Sequence, residues 1–95
     1  MHMVIDDIKK KAIPVLKRHG VARAALFGSV ARGEDTETSD VDILVETPKE
    51  YGLFEFAGIK LDLEEALGKK VDLIDYRAIK SRIRANILNS LVPIL

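Results

Sequence analysis

The sequence has no cysteine among its 95 residues. That excludes a disulfide framework, a cysteine-based zinc site and a cysteine nucleophile. It has no tryptophan, and only 5% of its residues are aromatic, so it offers no evident stacking platform for single-stranded nucleic acid. It has no excess of either charge: 15 Lys and Arg balance 15 Asp and Glu, for a formal net charge of zero. A domain that lives on generic affinity for DNA or RNA is usually basic, so no direct nucleic-acid binding is expected. No apolar run approaches the ~18 residues of a membrane span, and the N-terminus lacks a charged-then-apolar signal pattern. The expected address is cytoplasmic, with no membrane contact. No repeat or linker-like stretch divides the chain, and its length suits a single domain over residues 1–95.

What is present is an ordinary globular mixture, 47% apolar and 32% charged. Ile5, Ile8, Ala12 and Val15/Leu16 recur at three- and four-residue spacing, which predicts a helix over Val4–His19, disturbed at Pro14 and stopped by Gly20. Val21–Phe27 reads as a buried strand running straight into Gly28-Ser29, with one short helical turn, Val30–Arg32, ended by Gly33. Asp40–Val45 reads as a second strand, acidic at its start and apolar at its end. Thr47-Pro48-Lys49-Glu50 has the form of a helix start, with Thr47 as the cap and Glu50 completing a capping box. Leu53, Phe54, Ala57, Leu61, Leu63 and Leu67 continue that helix to Gly68, although Gly52 and Gly58 favour a late start or a bend. Phe27, Phe54 and Phe56 are expected in the core. Val71–Tyr76 is a third strand, Ala78–Leu91 a last amphipathic helix, and Val92–Leu95 an apolar tail that packs on the core or adds an edge strand. This alternation predicts an α/β fold, a small mixed sheet with helices packed on it.

Four features could carry chemistry. Asp40 and Asp42, two apart on a strand, point the same way about 6.5–7 Å apart. Such a pair repels itself unless a cation lies between, and two Mg²⁺ ions about 3.5–4 Å apart would fit the span; a solvated strand edge is the other reading. Asp72, flanked by Val71 and Leu73, reads as an acid inside a hydrophobic strand, where it needs a partner such as a metal. Asp75, three residues on, reads as a turn or cap residue. Gly28-Ser29, between a strand and a helical turn, is either a plain turn or a cradle of backbone N–H groups for phosphate. Neither a P-loop nor a dinucleotide-binding glycine fingerprint is present. Acids crowd Glu34–Asp42, five with no base, whereas Lys69–Arg84 holds six bases and two acids, a solvated helix face or an approach for anions. His19 beside Gly20 suits a helix C-terminus.

Taken together, Phe27-Gly28-Ser29-Val30-Ala31-Arg32-Gly33, ten residues from Ser29 to Asp40, and Ser39-Asp40-Val41-Asp42-Ile43-Leu44 resemble the signature of the DNA polymerase β-like nucleotidyltransferase superfamily. At this length the similarity is to its minimal nucleotidyltransferases, the MNT domains, and it extends through Leu63–Gly68 and Lys70-Val71-Asp72-Leu73. The resemblance implies the polymerase β-like palm fold. It implies that Gly28 and Ser29 hold nucleotide phosphates, with Arg32 near them or in an ion pair with Glu34 or Asp35. It implies that Asp40 and Asp42 bind the catalytic metals and that Asp72 completes the metal site and activates the attacking hydroxyl, while Ser39 shapes the turn before Asp40. The implied cofactor is Mg²⁺, two ions, with ATP as substrate. MNT proteins typically pair with HEPN-domain toxins as antitoxins and transfer AMP to a tyrosine near the toxin's active site. The chain has no Arg-x(4–6)-His ribonuclease motif of its own, which fits the antitoxin half. Two other roles remain: an antitoxin that acts by steric binding alone, and an aminoglycoside-type transferase of small molecules. An exposed sheet edge or an apolar helix face leaves room for a homo-oligomer.

Overall fold

The computed structural model describes residues 4–36, 39–79 and 91–95. Helix α1 spans Ile5–Arg18, strand β1 Arg23–Phe27, the short helix α2 Gly28–Arg32, strand β2 Val41–Glu46, helix α3 Leu53–Leu67, strand β3 Val71–Asp75 and strand β4 Val92–Pro93; a 3₁₀ turn, Tyr76–Ala78, follows β3. The first helix carries Asp6 and Asp7 in its first turn and Lys17 and Arg18 in its last, both favourable to the helix dipole. It continues through Pro14, which lies on the solvent side, and buries Ile8, Ala12, Val15 and Leu16.

The four strands form one mixed sheet in the order β3-β2-β1-β4. Strands β1 and β2 are antiparallel, β2 and β3 parallel, and β4 lies antiparallel to β1 at the edge. The parallel pair needs a crossover, and α3 supplies it. Side-chain alternation decides which face meets the helices. Val41, Ile43 and Val45 on β2, with Ala24 and Leu26 on β1 and Val71 and Leu73 on β3, join Ile8, Leu16, Ile59 and Leu63 in one apolar core between the sheet and the α1–α3 layer. The opposite face carries Ala25, Phe27, Asp42, Leu44, Asp72 and Ile74, placed together by the strand register. The expected edge strand in the tail is present, tied to β1 by Ile94 N–H donating to the Ala24 carbonyl and by Ala24 N–H donating to the Leu95 carbonyl.

Two expectations for α3 need correction. The helix does not begin at Thr47-Pro48. Thr47 is buried, and its hydroxyl donates to Asp75 Oδ2 at 2.9 Å instead of capping a helix. The start lies at Gly52, whose N–H donates to Glu55 Oε1 at 2.6 Å, so the cap is set by a different glutamate. Phe54 is also not in the core. Ile59, Leu63 and Leu67 define the buried face of α3, and Phe54 lies on the opposite one, 91% exposed; Phe27 is buried, and Phe56 packs partly against the core. The Ala78–Leu91 helix expected from the sequence falls almost wholly outside the described residues; Ala78 ends the 3₁₀ turn and Ile79 is extended. Among the described residues no helix is long and apolar enough to cross a membrane.

Candidate functional site

The antiparallel register sets Phe27, the last residue of β1, opposite Asp42 on β2, and the parallel register sets Asp42 beside Asp72 on β3. One row thus crosses three strands on the face away from the helices, with Asp42 and Asp72 on neighbouring strands ~4.8 Å apart at the backbone. Asp40 precedes β2 and is exposed. Asp72 is exposed as well, which corrects the reading of a carboxylate inside a hydrophobic strand. Its neighbours Val71 and Leu73 point into the core, so alternation turns Asp72 to the other face.

Asp42 is the electrostatic centre of this row. Its pKa is pushed up to about 6, first by partial burial, then by the charge of Asp72 and then of Asp40, with Arg32 pulling the other way. Like charges that unsettle a carboxylate in this way are relieved by a cation.

Gly28 explains how Asp42 fits. The residue has φ +73, a conformation that L side chains rarely adopt. A Cβ built on it would lie 2.0 Å from Asp42 Oδ2 and 2.9 Å from Asp42 Cγ. The carboxylate occupies the space that any other residue at 28 would fill. The glycine therefore serves the acid directly, and the turn into α2 begins against the Asp42 carboxylate.

Ser29 is half-buried in the first turn of α2. Arg32, at its end, pairs with Glu34 across 3.2 Å, and its charge also reaches Asp42. Ser39 shapes the turn as expected: its Oγ accepts from the Thr36 N–H at 2.8 Å. Asp75 caps the 3₁₀ turn by accepting from the Arg77 N–H at 2.8 Å, also as expected. Burial of Asp35, between α2 and β2, had no signal in the sequence, which offered it only as an ion-pair partner. His19 closes the end of α1, the structural part assigned to it, and its Nε2 also lies 2.7 Å from Asp62 Oδ2 on α3, a contact the sequence did not signal.

The donor set suits a hard divalent cation, because carboxylate oxygens are the available ligands. Among the described residues no three Asp, Glu or His side chains converge as a preformed cage. Mg²⁺ does not require one, since it is usually held by one or two carboxylates together with substrate phosphates and water. The described depressions lie elsewhere, one beside Lys60, Gly68 and Lys70 and one between α1 and α3.

A glycine turn pressed against a row of carboxylates sets backbone N–H groups, which suit an anion, close to oxygens that suit a hard cation. The chain belongs to the nucleotidyltransferase domain family, whose model matches residues 9–94. It is 48% identical over 93 residues to a protein of Methanocaldococcus jannaschii provisionally named a protein adenylyltransferase, covering 98% of this chain and 100% of that one. It is 41% identical over 76 residues to the protein adenylyltransferase MntA of Thermococcus cleftensis, covering 80% and 77% of the two chains. Among solved structures, one described provisionally as a minimal nucleotidyltransferase superposes with a TM-score of 0.83 at 37% identity, over 97% of each chain. A chain of a toxin–antitoxin structure with AMP-PNP gives 0.80 at 24% identity, covering 92% of this chain and 72% of that one. A chain of a complex between a tri-AMPylated Shewanella oneidensis HEPN toxin and its MNT antitoxin gives 0.72 at 21%, covering 93% and 69%. At those identities the last two share the fold. The small mixed sheet with helices expected from the sequence is thus the minimal nucleotidyltransferase fold, and the chain is a nucleotidyltransferase.

Proposed function

We propose that this chain transfers AMP from ATP to a tyrosine hydroxyl of a HEPN-domain partner, and that the transfer is how it neutralises that partner as an antitoxin. The observation that carries the reading is the Asp42 carboxylate lodged where a side chain at residue 28 would lie, which joins the glycine turn and the acid row into one site. The names of the archaeal relatives, protein adenylyltransferases, support AMP as the transferred group.

In this reading Asp40 and Asp42 hold Mg²⁺, with Asp72 completing the set. The bound metal lowers the charge on the phosphates and polarises the acceptor oxygen. Gly28 and Ser29 present backbone N–H groups and a hydroxyl to the triphosphate, and Arg32 faces its outer charge. Asp72, exposed at the edge of the row, takes the proton from the acceptor hydroxyl. The acceptor oxygen forms a bond to the α-phosphorus as the bond to pyrophosphate breaks. The chain's contribution is mainly position and electrostatics, since strand register sets Asp42 beside Asp72 and opposite Phe27, next to the glycine turn, before substrate arrives.

The test pairs this chain with the HEPN-domain protein encoded next to it, ATP and Mg²⁺, and reads intact masses. AMP additions on the partner, lost with the Asp40→Asn/Asp42→Asn variant and on chelation of the metal, are expected. A stable complex with no mass change would instead establish neutralisation by steric binding. Neither complex nor modification would return the chain to small-molecule transfer.

A further inference from the structure

The acid row depends on β3, which lies at the edge of the four described strands. Asp72 is only its second residue, and the end of an edge strand is where a backbone opens most readily. The Asp72 side chain is exposed, and among the described residues no hydrogen bond or ion pair reaches it. Its place beside Asp42 is therefore set by its backbone, through the pairing that aligns the two residues.

That backbone is held from two sides. Toward the sheet, the Val41 N–H donates to the Lys70 carbonyl at 2.9 Å. Backbone groups alternate in direction along a strand, so the Val71 N–H faces the outer edge, where no described strand pairs with it. Glu64 on α3 fills that place: its Oε2 accepts from the Val71 N–H at 2.9 Å. The backbone carbonyl of the same residue accepts from the Gly68 N–H at 2.8 Å. Glu64 thus grips both ends of the connection between α3 and β3. Burial of the Val71 side chain fixes how deep the strand sits, and the hydrogen bonds on either side fix it within the plane of the sheet.

A glutamate at this position works against its own helix. Glu64 stands in the last turn of α3, which holds no base, and a carboxylate there opposes the helix dipole. What the side chain contributes is the bond across to β3.

We propose that Glu64 is a positioning residue for the acid row: by holding the Val71 N–H it keeps Asp72 beside Asp42, where the two carboxylates share a cation. This inference rests on the reading of the row as a Mg²⁺ site. Glu64 lies on the helical layer, away from the face that carries the row, and acts on it only through the backbone of β3.

Titration of the full chain with Mg²⁺ alone, followed by the amide NMR signals of residues 71–73, tests the proposal apart from AMP transfer. Glu64→Ala is expected to weaken Mg²⁺ binding about tenfold. It is also expected to speed hydrogen exchange at the Val71 amide about tenfold, with an unchanged circular dichroism spectrum, because alanine favours the helix. Glu64→Gln removes the charge but keeps an acceptor oxygen, and is expected to hold both properties close to those of the unsubstituted chain. Asp62→Ala, which loosens α3 from α1 instead, is expected to leave Mg²⁺ binding unchanged. Equal Mg²⁺ affinity in Glu64→Ala and the unsubstituted chain overturns the positioning role while the metal site stands. So does a loss in Glu64→Gln as large as in Glu64→Ala, which would assign the effect to charge, or an equal loss in Asp62→Ala, which would assign it to general packing. No Mg²⁺-dependent shift in the unsubstituted chain overturns the metal reading, and this inference with it.

Discussion

Replacing Gly28 by alanine separates two physical costs that the site imposes on one position. The first is conformational. At φ +73 an L residue is disfavoured by about 1–2 kcal/mol. The second is steric. The added Cβ would lie 2.0 Å from Asp42 Oδ2, so the Asp42 side chain must leave its place or the turn must open, which costs a further 1–3 kcal/mol or so by analogy with overpacked interiors. Gly33 isolates the first cost. It has nearly the same conformation, φ +71, yet nothing lies within 4 Å of a Cβ built there. Gly33→Ala is therefore expected to lose about 1–2 kcal/mol and Gly28→Ala about 2–5 kcal/mol, read as shifts in the urea midpoint at constant slope. In a chain of this size each kcal/mol corresponds to about 4–8 °C in Tm. A double-mutant cycle then assigns the difference. In an Asp42→Ala background the two nearest atoms are gone and the residue-42 Cβ stays 3.3 Å away, so the cost of Gly28→Ala should fall towards that of Gly33→Ala. Gly28→Ala should abolish AMP transfer, because it displaces the central carboxylate. Equal losses at positions 28 and 33, or no coupling between 28 and 42, would refute the reasoning.

The raised pKa of Asp42 gives a second expectation. Folding keeps a proton on this group that the unfolded chain releases near pH 4, so stability should fall as pH rises from about 4 to about 6. The full shift corresponds to about 3 kcal/mol; because the side chain is only partly buried, solvent screening reduces this to about 1–2 kcal/mol. Asp42→Asn should remove that slope, and urea midpoints for the two proteins that stay parallel from pH 4 to pH 7 would contradict the assignment. Asp62 behaves in the opposite sense. Its pKa is lowered, chiefly by the hydrogen bond to His19, so its contribution is present above the usual aspartate range and is lost as pH falls through the lowered value. Asp62→Ala should lower Tm at pH 7, and the gap to the unsubstituted chain should close in acid.

Much of this architecture was legible because local signals agreed with one another. The first helix carried an apolar period and a glycine stop, and it formed over nearly the span read, running on through Pro14 where a disturbed turn was expected. The misreadings at α3 share a cause: two segments satisfied a local rule that tertiary contacts overruled. Thr47 had the right chemistry for a cap, but the parallel register aligns Val45 with Asp75 and so brings Thr47, two residues further, within reach of the Asp75 carboxylate. Gly52, with Glu55 three residues on, supplied the cap without the hydroxyl that a sequence reading looks for. Phe54 was placed in the core because apolar residues occur on two sides of α3. Periodicity states that both stripes exist; only packing against α1 and the sheet decides that Ile59, Leu63 and Leu67 are the buried one.

The acid row shows the opposite case, in which the spacing was readable and its reason was not. The sequence offered Gly28-Ser29, ten residues, then Asp40-x-Asp42, with Gly28-Ser29 as a plain turn or a cradle for phosphate. Pairing between β1 and β2 adds a stricter demand. Once Phe27 faces Asp42 across the strands, residue 28 must turn beside that carboxylate, and its Cβ position is already taken. Glycine at 28 is thus required even before a nucleotide is bound, which predicts that the empty protein, and not only its complex, will report the substitution.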